Sequence, residues 1–561
     1  MKNFLFLVLL SFLWLTSLGQ SPSKPKTFKK HVSYLASEKL EGRLTGTKGE
    51  QLAAEYIAKE FAKAGLKPAG ENGTYFQTFS FVKSRTIGEH SSIKTVFDLK
   101  SKTQLVAMDT NLFYPISESA DTAKWENVGV ANVGYGYKKE DYENKGVKNK
   151  IAVITLGTPS EVSAHSEDAL KLDLFQRIKL ANEYGVAGII LVKPDSKFDE
   201  KPSRLLRARG SKSAVPVVFV DTLANFFKED ALVELFFVIH KDLGVGKNVV
   251  AASSYDSNKE LLVFGGHYDH LGRGELGGSR SKEKNIHYGA DDNASGTAMV
   301  IELAYSLSKA KPNYTKFNYL FIAFSGEELG LLGSAHYVAN PTFSLSNARA
   351  MFNFDMVGRL DTAKRLFVSG TGTCVSFASV LNIPEDTTIL RIIPKRQGTG
   401  PTDHTSFYYK KIPVLAFFTG LHGEYHTSKD KPELLDYNGM TNIQQYVLTI
   451  VQRMQMAENS TWEFTPVEEE KKQSSSSFKV TLGVMPDYSY EGRGMKISGA
   501  NPGGPAEKAG MLAGDIVVKI GEHPVADIYK YMGILGLFKK GESTPVTVLR
   551  DGKEVVLEVV F

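Results

Sequence analysis

His267, Asp292, Glu328, Asp355 and His426 follow one another through the middle of a 561-residue chain, with Glu327 beside the third. Imidazoles and carboxylates are the groups that hold hydrolytic metal ions, one carboxylate can bridge two such ions, and a carboxylate left off the metals can move protons. Glu327 and Glu328 are adjacent and must point differently, so one can bind metal while its neighbour faces a substrate as general base. His267 and Asp269 are two residues apart, which on extended backbone puts both side chains on the same side; the aspartate can then accept the second ring N–H of the histidine and orient it. The chemistry this set points to is hydrolysis at a two-metal centre, with one of the two adjacent glutamates as base and Asp269 as a second candidate catalytic carboxylate beside His267.

Such residues work only if the fold gathers them, and the sequence says how. His267 follows the apolar run Leu261-Leu262-Val263-Phe264, Glu327-Glu328 follow Tyr319-Leu320-Phe321-Ile322-Ala323-Phe324, Asp355 follows Met351-Phe352-Asn353-Phe354, and His426 comes shortly after Val414-Leu415-Ala416-Phe417-Phe418. Short apolar runs bounded by Gly and polar residues read as buried strands, and in open α/β sheets the ligand crevice lies outside the carboxyl ends of the strands. Each residue alone has an ordinary reading: a surface His-x-Asp pair, glutamates beside a helix N-terminus, Asp291-Asp292 as a turn or N-cap. The coincidence of the set at strand ends favours a common pocket. His422-Gly423-Glu424-Tyr425-His426 is not an H-E-x-x-H helix, because its glutamate stands two residues after the first histidine and a glycine sits in the middle; only His426 is expected to bind metal.

Length alone suggests two or three domains. With 67 Lys+Arg against 62 Asp+Glu the net charge is only +5, and no basic block tracks a phosphate backbone, so nucleic acid is not an expected partner. Lys2, the apolar stretch 4–14 and the small-residue site Ser17-Leu18-Gly19 have the three parts of a secretory signal peptide over 1–19, shorter than the ~20 residues of a membrane span. An exported protein is expected, periplasmic or extracellular, with no transmembrane span once the signal is removed. The single cysteine, Cys374, allows no internal disulfide and fits export across a bacterial-type membrane better than the disulfide-rich secreted class. A packing helix is expected over 51–64, stopping at Gly65; the preceding Leu40-Glu41-Gly42-Arg43-Leu44-Thr45-Gly46 lacks the GK[ST] of a phosphate loop. Between about 102 and 245, strand-like runs alternate with a helical stretch at 167–184 and carry no cluster of His and acidic residues. The segment 465–477, acidic and then four serines, reads as a charged, flexible linker.

The strings Gly266-His267-Tyr268-Asp269-His270, Gly289-Ala290-Asp291-Asp292-Asn293-Ala294-Ser295-Gly296, Ser325-Gly326-Glu327-Glu328-Leu329-Gly330, Asn353-Phe354-Asp355-Met356-Val357-Gly358 and Tyr425-His426-Thr427-Ser428-Lys429-Asp430 resemble the M28 family of zinc aminopeptidases. The resemblance implies an α/β fold, a mixed sheet flanked by helices, over 25–105 and 247–458. It implies two zinc ions per chain, with His267 and Glu328 on different metals, Asp355 and His426 completing the pair, Asp292 bridging, Glu327 as general base, and an often cis peptide after Asp292. The chain departs from some members at Asn293, where they carry a third aspartate. The intervening 106–246 is similar to a protease-associated domain, on Lys179-Leu180-Ala181-Asn182-Glu183-Tyr184-Gly185-Val186-Ala187-Gly188-Ile189-Ile190. After a linker at 459–477, residues 478–561 resemble a PDZ domain, on the stretch Pro502 through Val517, with a peptide groove expected by Leu482-Gly483-Val484 for a C-terminal or extended peptide. The function implied is that of an aminopeptidase acting on peptides. Alternatives within the fold are a carboxypeptidase, with Arg391, Lys395 and Arg396 as a carboxylate clamp, or a glutaminyl cyclase; outside enzymes, a receptor-like binding protein that would not keep the full ligand set. Phe407, Tyr408, Phe418 and Tyr425 are candidates for either an apolar pocket or core.

Overall fold

The computed structural model describes residues 22–88, 90–96, 113–116, 119–159, 162, 171–198, 202, 213–223, 226–227, 231–253, 256–275, 278–281, 283–308, 316–383, 386–458, 460–467, 480–486, 493–500, 503–526 and 528–561. The signal peptide expected at 1–19 and much of the linker expected at 459–477 lie outside these residues.

Four parallel strands form the middle of the largest sheet, in the order Val414–Phe418, Ala348–Phe354, Glu260–His267, Phe317–Phe324. They are the four apolar runs of the sequence, and they are continuous rather than alternating because both sheet faces are covered. Leu262 and Phe264 pack with Tyr319, Phe321, Phe352 and Phe417 under helices Pro25–Leu35, Lys48–Lys63, Gly296–Ser308 and Tyr437–Met456. Leu261 and Val263 turn the other way, with Leu320, Ile322 and Met351, against Tyr337 of helix Leu332–Ala339 and Phe407 of helix His404–Tyr409. Strands Arg365–Ser369 and Arg391–Lys395 extend one edge, the first antiparallel to Val414–Phe418. The sheet is therefore mixed and flanked by helices. Helix Lys48–Lys63 begins three residues before the expected start because the Thr47 side chain accepts from the Glu50 amide, satisfying a donor the helix itself cannot.

On the other side, the 21-residue strand Leu232–Ala252 pairs with Phe317–Phe324 at one end and, further back, with Phe76–Ile87 and Thr122–Asn132. It carries the sheet out into strands Ile151–Thr155, Gly188–Lys193 and Val217–Leu223, which run parallel beside helix Leu174–Glu183 and bury two apolar clusters of their own. The segment 460–467 does not leave the large domain: Trp462 is buried in its core and the Thr465 amide donates to Thr373 O at 2.7 Å. A separate six-stranded sheet follows, with Val484–Pro486 at one edge and Lys553–Val560 at the other, closed over Leu482, Ile497, Val517 and Val546.

Candidate active site

Parallel strands end on the same edge, and here that edge gathers the chemistry. His267 is the last residue of its strand and Asp355 the first after its own; the register Gly265 with Asn353, continued two residues, sets them level. Glu327 and Glu328 come three and four residues after Phe324, and His426 eight after Phe418. Asp292 enters from the turn before helix Gly296–Ser308, across a cis peptide to Asn293.

The side chains form two donor sets that share Asp292. In one, His267 Nε2 lies 3.4 Å from Asp292 Oδ1 and 3.5 Å from Asp355 Oδ1. In the other, His426 Nε2 lies 3.0 Å from Asp292 Oδ2 and 3.3 Å from Glu328 Oε1. Backbone carbonyls hold both imidazoles with Nε2 towards the acids: Nδ1 of His267 meets Asp269 O at 3.2 Å, and Nδ1 of His426 meets Gly278 O at 2.9 Å. Glu327 belongs to neither set, its Oε2 3.9 Å from His267 Nε2. The cluster has a sealed floor and an open rim: His267 and Asp269 have side chains 1% and 0% exposed, whereas Glu327, Asp355 and His426 reach 12%, 19% and 13%.

Asp269 acts differently from the expectation. Its carboxylate stands 3.8 Å from His267 Nδ1, and the backbone carbonyl of the same residue takes that nitrogen instead. The carboxylate oxygens accept from the Glu327 amide at 3.1 Å, the Glu328 amide at 3.4 Å and Thr45 Oγ1 at 3.0 Å, so Asp269 positions the two glutamates. Two amides at the turn after Phe324 need an acceptor, and a buried carboxylate supplies it.

The electrostatics ask for cations. Asp269, Asp292, Glu327, Glu328, Asp355 and Asp403 share one region with little water. Burial pushes the Asp269 carboxyl up to about 7 and that of Asp403 up to about 6. Burial, then Glu328, Asp355 and Asp403, push Glu327 well above the usual carboxylate range. Burial opposes the charge on His267 and His426 as well, yet the surrounding acids outweigh it and raise both imidazoles well above their ordinary value. Without a metal, protons must neutralise this cluster; divalent cations do the same with better geometry. Oxygen and imidazole donors spaced at 3.0–3.5 Å match the edge of about 3.3 Å expected between ligands of a four-coordinate zinc with bonds near 2.05 Å. The residues present fit a metal pair.

Sequence reasoning passed over several participants. Arg43, fully buried, donates to Tyr268 O and Tyr288 O at 2.8 Å, to Gly289 O at 2.9 Å and to Leu35 O, tying together the loops that carry His267 and Asp292. The Leu40 to Gly46 stretch thus braces the site. Asp430 accepts from the Asp291 amide at 2.9 Å and the Asp292 amide at 3.0 Å. Asn293 spends its side chain on the backbone, donating to Phe354 O and accepting from the Gly296 and Met356 amides. His270 reaches Glu328 Oε1 at 2.8 Å; its place one residue after Asp269 was the available signal. Phe407 and Tyr408 are buried core, while Tyr425 stacks on His426 at 3.8 Å between ring centres. Arg391 to Arg396 lie on and after the outermost strand, four positions from His267 and roughly 19 Å across the sheet.

Residues 248–451 match the model of peptidase family M28, and residues 464–560 match that of the PDZ domain. The chain carries an M28 peptidase domain. The PDZ domain stands C-terminal to it. The M28 match opens four residues before the end of strand Leu232–Ala252 and spans all five residues of the two donor sets. The chain is 27% identical over 431 residues to aminopeptidase YwaD of Bacillus subtilis, covering 73% of this chain and 81% of that protein. It is 25% identical over 327 residues to an aminopeptidase of Pseudomonas aeruginosa, covering 56% of this chain and 54% of that one, so it spans about half of that relative. A solved zinc aminopeptidase of Bacillus subtilis is similar at 22% identity, with a TM-score of 0.44, over 77% of this chain and 96% of the other.

Proposed function

We propose that this M28 peptidase is an exported di-zinc aminopeptidase that removes N-terminal residues from peptides. The observation that carries the reading is the pair of donor sets sharing Asp292, with Glu327 left over beside them. His267, Asp292 and Asp355 would hold one ion; Glu328 and His426, with Asp292, the other. Zinc, when bound, supplies Lewis-acid polarisation of the scissile carbonyl and activation of water. Glu327, at the open rim and in neither donor set, takes the proton of the attacking water and passes it to the leaving amine. Asp269 holds the Glu327 and Glu328 amides, and so fixes the direction of both carboxylates. Glu327 and Asp355 put carboxylates at the open rim, which favours a substrate's free ammonium end over its carboxylate end. The distance of Arg391, Lys395 and Arg396 from the cluster argues against their use as a carboxylate clamp.

The leader at 1–19 supports export to the periplasm or beyond, and among the described residues no helix is long and apolar enough to cross a membrane. The domain of strands around Ile151–Thr155 serves as a protease-associated insert that shapes access. Val484–Pro486, an edge strand of the PDZ sheet among the described residues, offers backbone on which an extended peptide can add. The test is to purify the protein, measure its zinc, and compare peptides with free and acetylated N-termini. Two zinc ions and turnover of the free peptides alone are expected; equal turnover of blocked peptides, or cleavage from the carboxyl end, rejects the aminopeptidase.

A further inference from the structure

His270 lies outside the five ligands considered so far, yet its ring is entirely buried and directed at them. Nδ1 stands 2.8 Å from Glu328 Oε1 and 3.8 Å from Asp292 Oδ2. These are the two oxygens that His426 Nε2 approaches at 3.3 and 3.0 Å. A histidine that merely steadied Glu328 would be expected on the outer carboxylate oxygen; this one converges on the inner one. The four contacts scatter about the edge of roughly 3.3 Å that a tetrahedral zinc imposes on its ligands. His270 Nε2 is buried with no protein partner among the described residues, so the polar contacts of the ring lie on the cluster side. The ring is also fixed in place: a Cβ at Gly289 would come within 2.5 Å of His270 Cδ2, and only a glycine there, at φ +56°, leaves it room.

We propose that His270 is a sixth protein ligand, completing with Asp292, Glu328 and His426 a four-donor metal position. This rests on the two-metal reading above and makes the two positions unequal. The position of His270 has four protein donors, two of them imidazoles, the number found in structural zinc sites; that of His267, Asp292 and Asp355 has three protein donors and keeps room for other ligands. One ion is then held firmly and the other exchanges.

The test reads the metals rather than turnover. Zinc remaining on the intact protein is measured along a series of chelator concentrations, and cobalt(II) is introduced for its visible absorption. The wild type should release its two ions in separate steps. His270→Ala should weaken the tighter step by ~100-fold or more, beyond the 10–100-fold typical of a residue that only supports a ligand, and should change the cobalt spectrum. Because that variant opens a buried hole, His270→Cys is measured beside it: a sulfur within bonding reach adds an intense cobalt–thiolate band in the near ultraviolet. Absence of that band in a folded, cobalt-loaded His270→Cys protein, or unchanged stepwise release from His270→Ala, overturns the assignment. A wild type that binds one zinc or none refutes the two-metal reading itself.

Discussion

Replacing Arg43 by methionine keeps the length of the buried stem and removes the guanidinium, which isolates its hydrogen bonds from its packing. Four carbonyl groups lose their donor, those of Leu35, Tyr268, Tyr288 and Gly289. Hydrogen bonds from a charged group contribute about 1.5 kcal/mol each at the low end of their range, or about 6 kcal/mol for four. Burial opposes this by holding the guanidinium pKa down at about 10 from its ordinary 12.5, against the pull of Asp292 and Asp269; at ~1.4 kcal/mol per unit that offsets about 3 kcal/mol. The net loss on Arg43→Met is therefore about 3 kcal/mol. In a domain of this size each kcal/mol moves the midpoint by roughly 2–4 °C, so calorimetry should place the peptidase transition roughly 6–12 °C lower. Tyr268 neighbours His267 and Gly289 lies three residues before Asp292, so metal retention against a chelator should fall in the same variant. A transition within about 2 °C of the wild type, with metal retained as before, would refute the bracing role.

Glu327→Gln should keep its metal and lose kcat by roughly 10²–10⁴ with little change in the folded state, because the amide cannot accept the water's proton; comparable turnover in metal-loaded variant protein would remove Glu327 from the base role. Truncation after Val467 should leave turnover of a small amide substrate largely intact, since every donor precedes it, while a cut at 458 should destabilise the peptidase domain by removing Trp462 from its core; the two truncated proteins are compared by activity and thermal midpoint. In the PDZ domain, burial pushes Asp515 up but the Arg550 hydrogen bonds at 2.7 and 2.8 Å outweigh it and hold the carboxyl below its ordinary value of 3.8. The pair's stabilisation is then fully present above about pH 4 and fades as pH falls through the lowered value; hydrogen exchange of strands Ser543–Arg550 and Lys553–Val560 should show this loss in the wild type and not in Arg550→Ala.

The helix from Lys48 and the four central strands were legible because local pattern and burial agree: an apolar run covered on both faces has to be continuous, and Gly65 at φ +86° ends the helix as its residue type suggests. The role of Asp269 was misread for a reason of the same kind. A two-residue spacing predicts which side a carboxylate falls on, but not that the amides of Glu327 and Glu328, 58 and 59 residues away, claim it first. Part of the expected linker, 460–467, stays with the peptidase domain, because Trp462 and Thr465 find partners in its core.

By itself the sequence determined the types and order of the donor residues and the strand ends that carry them, since both follow from local hydrophobic pattern and from the chemistry of single side chains. Tertiary structure alone decided that Asp292 would be shared between His267 and His426, that Arg43 would bind the loops carrying His267 and Asp292, and that His270 would point inward beside Glu328. Those facts depend on distances between residues tens to hundreds of positions apart, which chain spacing does not encode and the packing of strands and helices does.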